Sequence, residues 1–267
     1  MNERIEKAYA QRPKRWVFEL SVAVIVAALI VWSATAVETS GTTQNGGKIA
    51  LNILSGIFHP DTGLLFNLTV QGVPYLLLET VCIAFLGTVV GAVISIPLAF
   101  LSASNLTPKP IAFIGRIIIM AVRTVPAFIY GLMFIRVTGP GAFAGLLTMS
   151  LCSVGMVSKM YIEAIEDLDV RVLESLDAAG CTTWQKIRYG ILPQLMPNFA
   201  STAIYRFDIN LRDATVLGLV GGIGAPLIFA MNSYRWSEAG AILAGLIVLV
   251  LAVEWLSTKI RIKLARG

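Results

Sequence analysis

The strongest constraint on this chain is a series of apolar blocks, each close to the length of a membrane-spanning helix, separated by short polar segments. A helix needs about 20 predominantly apolar residues to cross the hydrocarbon core of a bilayer. Charged residues make up only 14 % of the 267 residues, against about 25 % in an ordinary globular domain. The sequence lacks the alternating segments of roughly ten residues that a spanning barrel requires. We therefore predict an all-α, polytopic membrane protein.

Six spans account for the apolar blocks. They cover roughly 17–37, 74–101, 111–137, 142–162, 198–224 and 238–258. Basic residues concentrate in cytoplasmic segments of membrane proteins, so their positions predict orientation. The predicted inner segments carry Arg4, Lys7, Arg12, Lys14, Arg15, Lys109, Arg116, Lys159, Arg171, Lys186, Arg188, Lys259, Arg261, Lys263 and Arg266. The predicted outer loops carry only Lys48 and Arg235, so both termini are expected in the cytoplasm and no nucleic-acid partner is expected.

Two parts of the chain are predicted. Residues 1–73 would hold a cytoplasmic tail, the first span and an outer loop, in which 49–58 predicts a helix on the membrane surface. Residues 74–267 would form the main membrane domain, with a cytoplasmic loop at about 163–197. The first span has an alternative interpretation as a signal peptide, because 34–36 resembles a cleavage site. Its apolar stretch exceeds the roughly 7–15 residues of a signal core, so we expect the span to be retained.

A polar island at residues 174–193 interrupts the apolar pattern between the fourth and fifth spans. Asp167 and Asp169 lead into a predicted short helix over 170–179. Gly180 follows it and permits the positive φ that ends a helix or turns it sharply. The chain should therefore turn at Gly180 on the inner face of the membrane.

A second short helix is predicted after this turn. Thr182 or Thr183 can cap it, and Pro193 and Pro197 should delimit it at 184–189. The apolar side chains available to enter a groove of a partner protein are Leu173, Leu176, Trp184 and Ile187. The alternative interpretation is an ordinary amphipathic loop between spans.

The fifth predicted span is unusually charged. Each ionisable residue near the centre of a span costs about 2.5–3.5 kcal/mol on insertion scales, so these residues should avoid lipid. Asp208 and Arg212 are four residues apart and can pair. Helical spacing predicts two polar stripes, one of Ser201, Tyr205, Asp208, Arg212 and Thr215, the other of Arg206, Asn210 and Asp213.

Two interpretations of these charges stay open. They can line a pathway or gate for an anionic substrate, or they can form ion pairs that hold the helices together. Arg123, three residues before Pro126 in the third span, poses the same question. We expect it to pair with an acidic residue such as Asp208 or Asp213.

No catalytic or metal-binding cluster is visible in the sequence. His59 is the only histidine, and the three cysteines suggest no disulfide framework. A glycine run at 218–226 lacks the Lys-Ser or Lys-Thr and the preceding strand that nucleotide-binding loops need. We interpret its Gly221, Gly222 and Gly224 as a hinge.

Several segments together resemble a known family. They are 122–126 (Val-Arg-Thr-Val-Pro), 139–145, 155–159, 163–166, the loop 174–193, and 205–212 followed by 214–218. From about Val122 onward the chain resembles the phosphonate-type ABC-importer permeases (PhnE family). Its polar island is similar to the "EAA" loop of such permeases, with Glu174, Ala178, Gly180, Leu192 and Pro193 at the pattern positions. Gly190 stands where isoleucine is usual, and the glycine run is two residues short.

The resemblance implies a type I importer in a bacterial plasma membrane. Two permease subunits, identical or paired with a sister, would sit on an ATPase dimer and receive substrate from an extracytoplasmic binding protein. The residues implied in ATPase coupling are Glu174, Ala178, Ala179, Gly180, Trp184, Leu192 and Pro193. The implied substrate is phosphonate or a related small phosphorus-containing anion. This chain would have no enzymatic activity and no cofactor, because the partner ATPase would use ATP and Mg²⁺.

Two other classes of protein compete with this interpretation. An ion-gradient-driven secondary transporter would also carry intramembrane charges. No inverted repeat is apparent, however, and such a transporter would leave the polar island unexplained. A membrane scaffold that transports nothing is the second alternative.

Overall fold

The computed structural model describes residues 16–36, 46–216 and 221–265, and in these ranges the chain is helical and has no strand. The helices are α1 (Trp16–Ala36), α2 (Gly46–Phe58), α3 (Thr62–Leu65), α4 (Val73–Ser102), α5 (Lys109–Thr124), α6 (Ala127–Thr138), α7 (Ala142–Glu166), α8 (Val170–Ala178), α9 (Thr183–Gln185), α10 (Leu192–Val216), α11 (Gly224–Asn232) and α12 (Trp236–Ala265). A π-helical segment, Lys186–Ile191, lies between α9 and α10. The predicted all-α fold is confirmed.

The six predicted spans correspond to helices of three kinds. Within the described residues, α1, α4, α7 and α12 are each long and apolar enough to cross a membrane. The helices α5 and α6 meet the same test only as a pair, and they are bent by 84°. The bend lies at Val125 and Pro126. Val125 adopts an extended conformation, which residues before proline prefer. The helix α10 is long but is not among these apolar helices, and four ionisable residues lie in its second half.

The chain divides into two units, residues 1–50 and 51–267. In the first unit, α1 is apolar and none of its residues is buried. The predicted boundary at 73/74 lies inside the second unit, where α4 begins at Val73, and stays a prediction. The residues predicted to lie on the membrane surface do form a helix, α2, in which Leu51 and Phe58 are exposed.

The core of the second unit is the contact between α4 and α7, which small residues make possible. A Cβ atom at Gly87 would lie 2.5 Å from the Cβ of Met149, and one at Gly91 would lie 2.8 Å from the backbone oxygen of Ser150. One turn further along α4, the Ser95 hydroxyl lies 3.3 Å from the carbonyl of Val154. Small residues spaced four apart are the usual means by which membrane helices approach closely.

One end of the bundle, here called the hairpin end, carries the polar island. The segment that follows α4 meets the last residue of α7 there, since the backbone amide of Ser104 donates to Glu166 at 2.7 Å. The start of α10 and the end of α12 also meet there, where Gln194 and Leu264 line the same cleft. A core cluster that includes Tyr161, whose ring stacks on Phe199 at 4.0 Å between centroids, supports this end.

Candidate functional site

The first arm of the polar island is α8, and it begins where the sequence predicts. The Asp169 carboxylate accepts a hydrogen bond from the backbone amide of Arg171 at 2.9 Å. This bond, together with one from the Arg171 side chain, holds the pKa of the Asp169 carboxyl below its usual range. An aspartate in this position satisfies a backbone donor that the helix leaves free, so it defines the N-terminus of α8.

The turn after α8 is a Schellman motif built on Gly180. Gly180 has φ +75°, the left-handed region that a side chain disfavours. Its amide donates to the carbonyl of Asp177 at 2.9 Å, and the amide of Cys181 donates to Leu176 at 3.1 Å. These two bonds satisfy carbonyls at the end of α8. The predicted role of Gly180 as a helix-ending residue is confirmed.

The second arm starts at Thr182, one of the two residues predicted to cap it. The Thr182 hydroxyl accepts from the amide of Gln185 at 3.4 Å, and the Gln185 side chain accepts from the amide of Thr182 at 2.8 Å. This reciprocal pair is a capping box. The two arms, residues 169–191, are called the hairpin below.

The predicted end of the second arm was wrong. Residues Thr183 to Val216 are helical without interruption, so Pro193 and Pro197 do not delimit a short helix. Proline breaks a regular α-helix because it lacks an N–H group and its ring clashes with the carbonyl four residues earlier. Here the segment directly before Pro193 is π-helical, and the amide of Leu192 bonds to Ile187, five residues back. The wider turn leaves room for the proline ring, and the hairpin therefore continues directly into α10.

The hairpin presents two large aromatic side chains to its surroundings. Trp184 is 68 % exposed and Tyr189 is 71 % exposed. The Arg188 guanidinium lies 5.7 Å from the centre of the Tyr189 ring. Aromatic residues and arginine carry much of the binding energy at protein interfaces, so this surface has the composition of a docking site.

The other apolar residues predicted to face a partner lie differently. Ile187 is half-buried and packs against the bundle's own core cluster, so it is not available to a partner. Leu176 is half-buried within the hairpin. The side chain of Leu173 lies outside the described part of the chain.

The two arms of the hairpin are held together at two points. A Cβ atom at Gly190 would collide with Cδ1 of Leu176. Gly190 therefore has a packing role of its own, since its missing side chain admits Leu176. Lys186 forms an ion pair with Asp177 across the turn.

The structure places most of the implied coupling residues on the surface of the hairpin end. The exposed ones are Glu174, Ala178, Ala179, Gly180, Trp184 and Pro193. Leu192 is half-buried and packs against the core cluster.

The charged centre of α10 contains the ion pair that helical spacing predicts. Asp208 pairs with Arg212, four residues later, which confirms this prediction. The two partners differ in environment, because the side chain of Asp208 is 5 % exposed and that of Arg212 is 50 % exposed. The first predicted stripe is therefore buried at Asp208 and open at Arg212.

The second predicted stripe of α10 faces the interior of the bundle. Arg206, whose side chain is 7 % exposed, lies 3.7 Å from Asp213 and 3.3 Å from the hydroxyl of Ser153 on α7. Asn210 is fully buried and donates to the hydroxyls of Ser153 at 2.7 Å and Thr88 at 2.8 Å. The stripe thus joins α10 to both α7 and α4.

Arg123 does not make the predicted pair. Both Asp208 and Asp213 are paired within α10, and no ion pair or hydrogen bond of the Arg123 side chain occurs among the described residues. The side chain is exposed and lines a groove between α5 and α7.

Tyr205, also predicted to belong to the site, has its ring 5.7 Å from the Arg261 guanidinium of α12.

The glycine run is closely packed where the structure describes it; residues 217–220 lie outside the described part. Gly221 and Gly222 both have positive φ, +88° and +72°. A Cβ atom on Gly221 would lie 2.6 Å from the backbone nitrogen of Ala142. The amide of Ile223 donates to the Thr80 hydroxyl at 2.9 Å, and Gly224 begins α11. These contacts connect the predicted hinge to the starts of α4 and α7.

Sequence reasoning missed a polar cluster at the hairpin end. One oxygen of Glu166 accepts from the Ser104 amide at 2.7 Å and hydroxyl at 2.5 Å, and it also pairs with Arg116. Arg116 donates in addition to the carbonyl of Ser102 at 3.1 Å. The cluster ties α4 and α5 to the end of α7, close to the start of α8. Its members are far apart in sequence, so no local spacing pointed to it.

Comparison with known proteins agrees with this architecture. Residues 95–258 match the family described as binding-protein-dependent transport system inner membrane component. The phosphite transport system permease protein PtxC of Stutzerimonas stutzeri is 39 % identical over 188 residues, 69 % of this chain and 68 % of that protein. The phosphate-import permease protein PhnE of Mycolicibacterium smegmatis is 35 % identical over 189 residues, 70 % of this chain and 36 % of that protein.

A solved structure shows the same fold. A chain of the MetNI methionine ABC transporter, in an inward-facing conformation, matches with a TM-score of 0.64 and 18 % identity, covering 70 % of this chain and 93 % of that chain. The family match, the relatives and the shared fold agree with one another. The chain therefore belongs to the binding-protein-dependent transport system inner membrane component family, and it is a multi-pass ABC-importer permease of the PhnE type.

Proposed function

We propose that this permease carries a small phosphorus oxyanion, such as phosphite, phosphonate or phosphate, into the cell, driven by a separate ATPase. The names of its relatives support this substrate class, since PtxC is a phosphite permease and PhnE of Mycolicibacterium smegmatis a phosphate-import permease. The proposed partners are an ATPase dimer, an extracytoplasmic binding protein and a second permease subunit. In this proposal the ATPase uses ATP and Mg²⁺, and the permease binds no cofactor.

The observation that carries the proposal is the continuity of the hairpin with α10. The exposed Trp184 and Tyr189 offer a docking surface, and the same helical stretch runs on to the charged centre of α10. A displacement of the hairpin by the ATPase would therefore reach Arg206 and Asp208 through a helix and not through a flexible loop. We propose that this helix transmits ATPase closure to the transport pathway.

The contacts of α10 favour a structural role for most of its charges. Arg206 and Asp208 are buried and paired within α10, and Arg206 also donates to Ser153 on α7. Arg212 is half-exposed and is the member of the set best placed to face an aqueous path. We propose the pathway role for Arg212 and the paired-charge role for Arg206, Asp208 and Asp213.

We also propose that the hairpin end and both termini face the cytoplasm, as the basic residues indicate. The test uses a cysteine-free background with a single cysteine at Ser175, in the hairpin, or at Ser233, after α11. A membrane-impermeant maleimide added to intact cells should label only the Ser233→Cys protein. Labelling of Ser175→Cys in intact cells would reverse the proposed orientation.

The test of coupling replaces Gly180 with valine in a permease reconstituted with its ATPase and binding protein. Valine at φ +75° strains the turn, so we expect substrate-stimulated ATP hydrolysis and uptake to be lost. Basal ATP hydrolysis should remain. Competition among phosphite, methylphosphonate and phosphate for uptake would then identify the preferred anion.

A matched control is Gly139→Val, between α6 and α7. Gly139 has φ +83° and ψ 166°, a region almost restricted to glycine, and like Gly180 it has no atom within 4 Å of an added Cβ, so valine strains the backbone there at least as much. Gly139→Val should keep its coupling. If both variants couple normally, or both lose coupling equally, the hairpin is not the specific input that we propose.

The alternative of an ion-gradient-driven transporter makes an opposite prediction. Uptake by the chain alone, in liposomes with a proton or sodium gradient and no ATPase, would support it. We expect no uptake under these conditions.

A further inference from the structure

A charged groove of about 270 Å³ lies between α5 and α7, outside the ion pairs of α10. Arg116 and Arg123 line it from α5, and Lys159, Glu163 and Glu166 line it from α7. On each helix these residues are spaced three, four or seven apart, so they share one helical face. The faces of α5 and α7 that border the groove therefore both carry ionisable side chains. Such residues are rare within membrane helices and commonly mark functional sites.

The charges in this groove do not cancel locally. Glu166 is engaged by Arg116 and by both donors of Ser104. Glu163 lies 3.2 Å from Lys159, but both side chains are more than half exposed, and such pairs contribute little. Among the described residues, Arg123 has no ion pair or hydrogen bond of its side chain. The groove therefore holds a cation without a counter-ion.

The path of the Arg123 side chain is set by a glycine on the facing helix. A Cβ atom at Gly155 would lie 2.7 Å from Cγ of Arg123, so the stem of Arg123 crosses α7 where Gly155 leaves space. Lys159 is one turn further along α7 and lines the same groove. The two cationic side chains thus border one space, and the glycine is required for one of them to lie there.

We propose that Arg123 and Lys159 form a binding site for the phosphate group of an anion. A guanidinium binds phosphorus oxyanions through two parallel hydrogen bonds, and an ammonium adds a point charge beside it. The anion has two possible sources with the same chemistry. It is either a free phosphorus oxyanion on the transport path, which rests on the proposed function, or the headgroup of an anionic phospholipid, which basic pockets between membrane helices also bind.

The experiment uses the full-length permease purified in dodecyl maltoside, a detergent without phosphate. In one arm, inorganic phosphate is titrated and its binding is followed by ³¹P NMR line broadening. In the other arm, delipidated protein is supplied with phosphatidylglycerol, and the retained lipid is counted by native mass spectrometry. Binding in the first arm identifies the free anion, and binding only in the second identifies the lipid headgroup.

The decisive variant is Arg123→Gln, and its matched control is Arg136→Gln. Arg136 is also an exposed arginine in the last turn of its helix, α6, but it does not line the groove. We expect Arg123→Gln to weaken binding about tenfold or more, because a charge-assisted hydrogen bond is lost. Lys159→Gln should weaken it less, and Arg136→Gln should bind as the unaltered protein does.

A second variant keeps every charge and moves the guanidinium. Gly155→Ala should displace the Arg123 side chain and weaken binding, and it should add nothing when Arg123 is already glutamine. This double-mutant cycle distinguishes a site that depends on the position of the Arg123 guanidinium from a general effect of positive charge. The proposal is overturned if Arg123→Gln binds as tightly as the unaltered protein in both arms, or if the unaltered protein binds in neither.

Failure here is distinguishable from failure of the proposed function. If reconstituted complexes import a phosphorus oxyanion while Arg123→Gln leaves binding unchanged, the transport proposal stands and the groove is not the site. If the groove binds phosphatidylglycerol through Arg123 but no phosphorus oxyanion is transported, the site stands and the proposed substrate class does not.

Discussion

The hairpin and the charged part of α10 both contain ion pairs, but each pair of the hairpin has a largely exposed partner, whereas each pair of α10 has a buried one. In the hairpin, the Arg171 side chain is 87 % exposed beside Asp169, and Asp177 is 62 % exposed beside Lys186. In α10, the Arg206 side chain is 7 % exposed and that of Asp208 is 5 % exposed. The two regions are joined by one uninterrupted helical stretch.

The difference indicates what each region contributes. Exposed ion pairs are worth about 0–1 kcal/mol, so the hairpin can rearrange or bind a partner without unfolding the bundle. A buried charge that loses its partner costs about 3–5 kcal/mol, so the centre of α10 resists rearrangement. The hairpin is therefore a soft end, meaning a segment that deforms at little cost, on a helix whose charged part is rigid. Such an arrangement suits the transmission of movement along the helix.

The largest effect is expected from Arg206→Met. The change leaves Asp213 without its partner and removes one of the two donors, Arg206 and Asn210, that the hydroxyl of Ser153 accepts from. We expect a loss of about 3 kcal/mol in the free energy of unfolding, the low end for a broken buried pair, because Asp213 stays partly exposed. The measurement is unfolding by dodecyl sulfate in mixed micelles. Arg171→Met, in the hairpin, is the control and should change stability little; equal losses in both variants would contradict the comparison.

A smaller effect is expected from Asn210→Leu. Asn210 donates to Thr88 and Ser153 and so joins α10 to α4 and α7. Its loss leaves two buried hydroxyls without this donor, and we expect about 1–3 kcal/mol of destabilisation. Asn198→Leu, on an exposed position of the same helix, is the control for the change of side chain. The same unfolding assay applies, and a neutral Asn210→Leu would show that this buried network is dispensable.

Gly180→Val should cost less in stability than either change in α10. A left-handed conformation costs a residue with a side chain about 1–2 kcal/mol, and this cost falls on the hairpin alone. Hydrogen exchange should therefore increase in α8 and stay unchanged in α7 and α10. Faster exchange throughout α10 would mean that the hairpin is not an independent soft end.

Lys186→Met should have a still smaller effect, at most about 1 kcal/mol. The pair with Asp177 joins the two arms; the Lys186 side chain is 17 % exposed, but its partner Asp177 is 62 % exposed, so solvent screens the interaction. Raising the salt concentration should reduce the difference between this variant and the unaltered protein, because salt screens exposed pairs. A salt-independent difference would show that the pair is screened from solvent.

The smallest effect concerns pH. The pKa of Asp169 is lowered by the amide of Arg171, so its ionised form stabilises the start of α8. This contribution is fully present above the unfolded-state pKa of about 4 and is lost as the pH falls through the lower folded-state value. Cleavage of the hairpin by pepsin should therefore increase below about pH 4. Asp169→Asn should abolish this pH dependence, and an identical pH profile in the variant would contradict the assignment.

Local patterns predicted much of this structure. The spacing of Asp208 and Arg212 predicted their pair, and the φ requirement at Gly180 predicted the turn, because both depend on residues within one helical turn. The end of the second arm was predicted wrongly, since Pro193 breaks a regular helix but not one preceded by a π-helical turn. Arg123 was predicted to pair with an acidic residue of α10, but those residues already have partners within their own helix.

The sequence by itself determined the helical membrane class, the positions of the long apolar helices α1, α4, α7 and α12, and the residues of the hairpin. Hydropathy, charge distribution and backbone preference act over neighbouring residues, so a linear sequence displays them. Only the tertiary structure decided that Glu166 accepts hydrogen bonds from Arg116 and Ser104, that Asn210 of α10 donates to both α4 and α7, and that Arg123 lies over Gly155 in an open groove. These contacts join residues distant in the chain, and they depend on how closely the helices pack, which small residues on α4 and α7 allow.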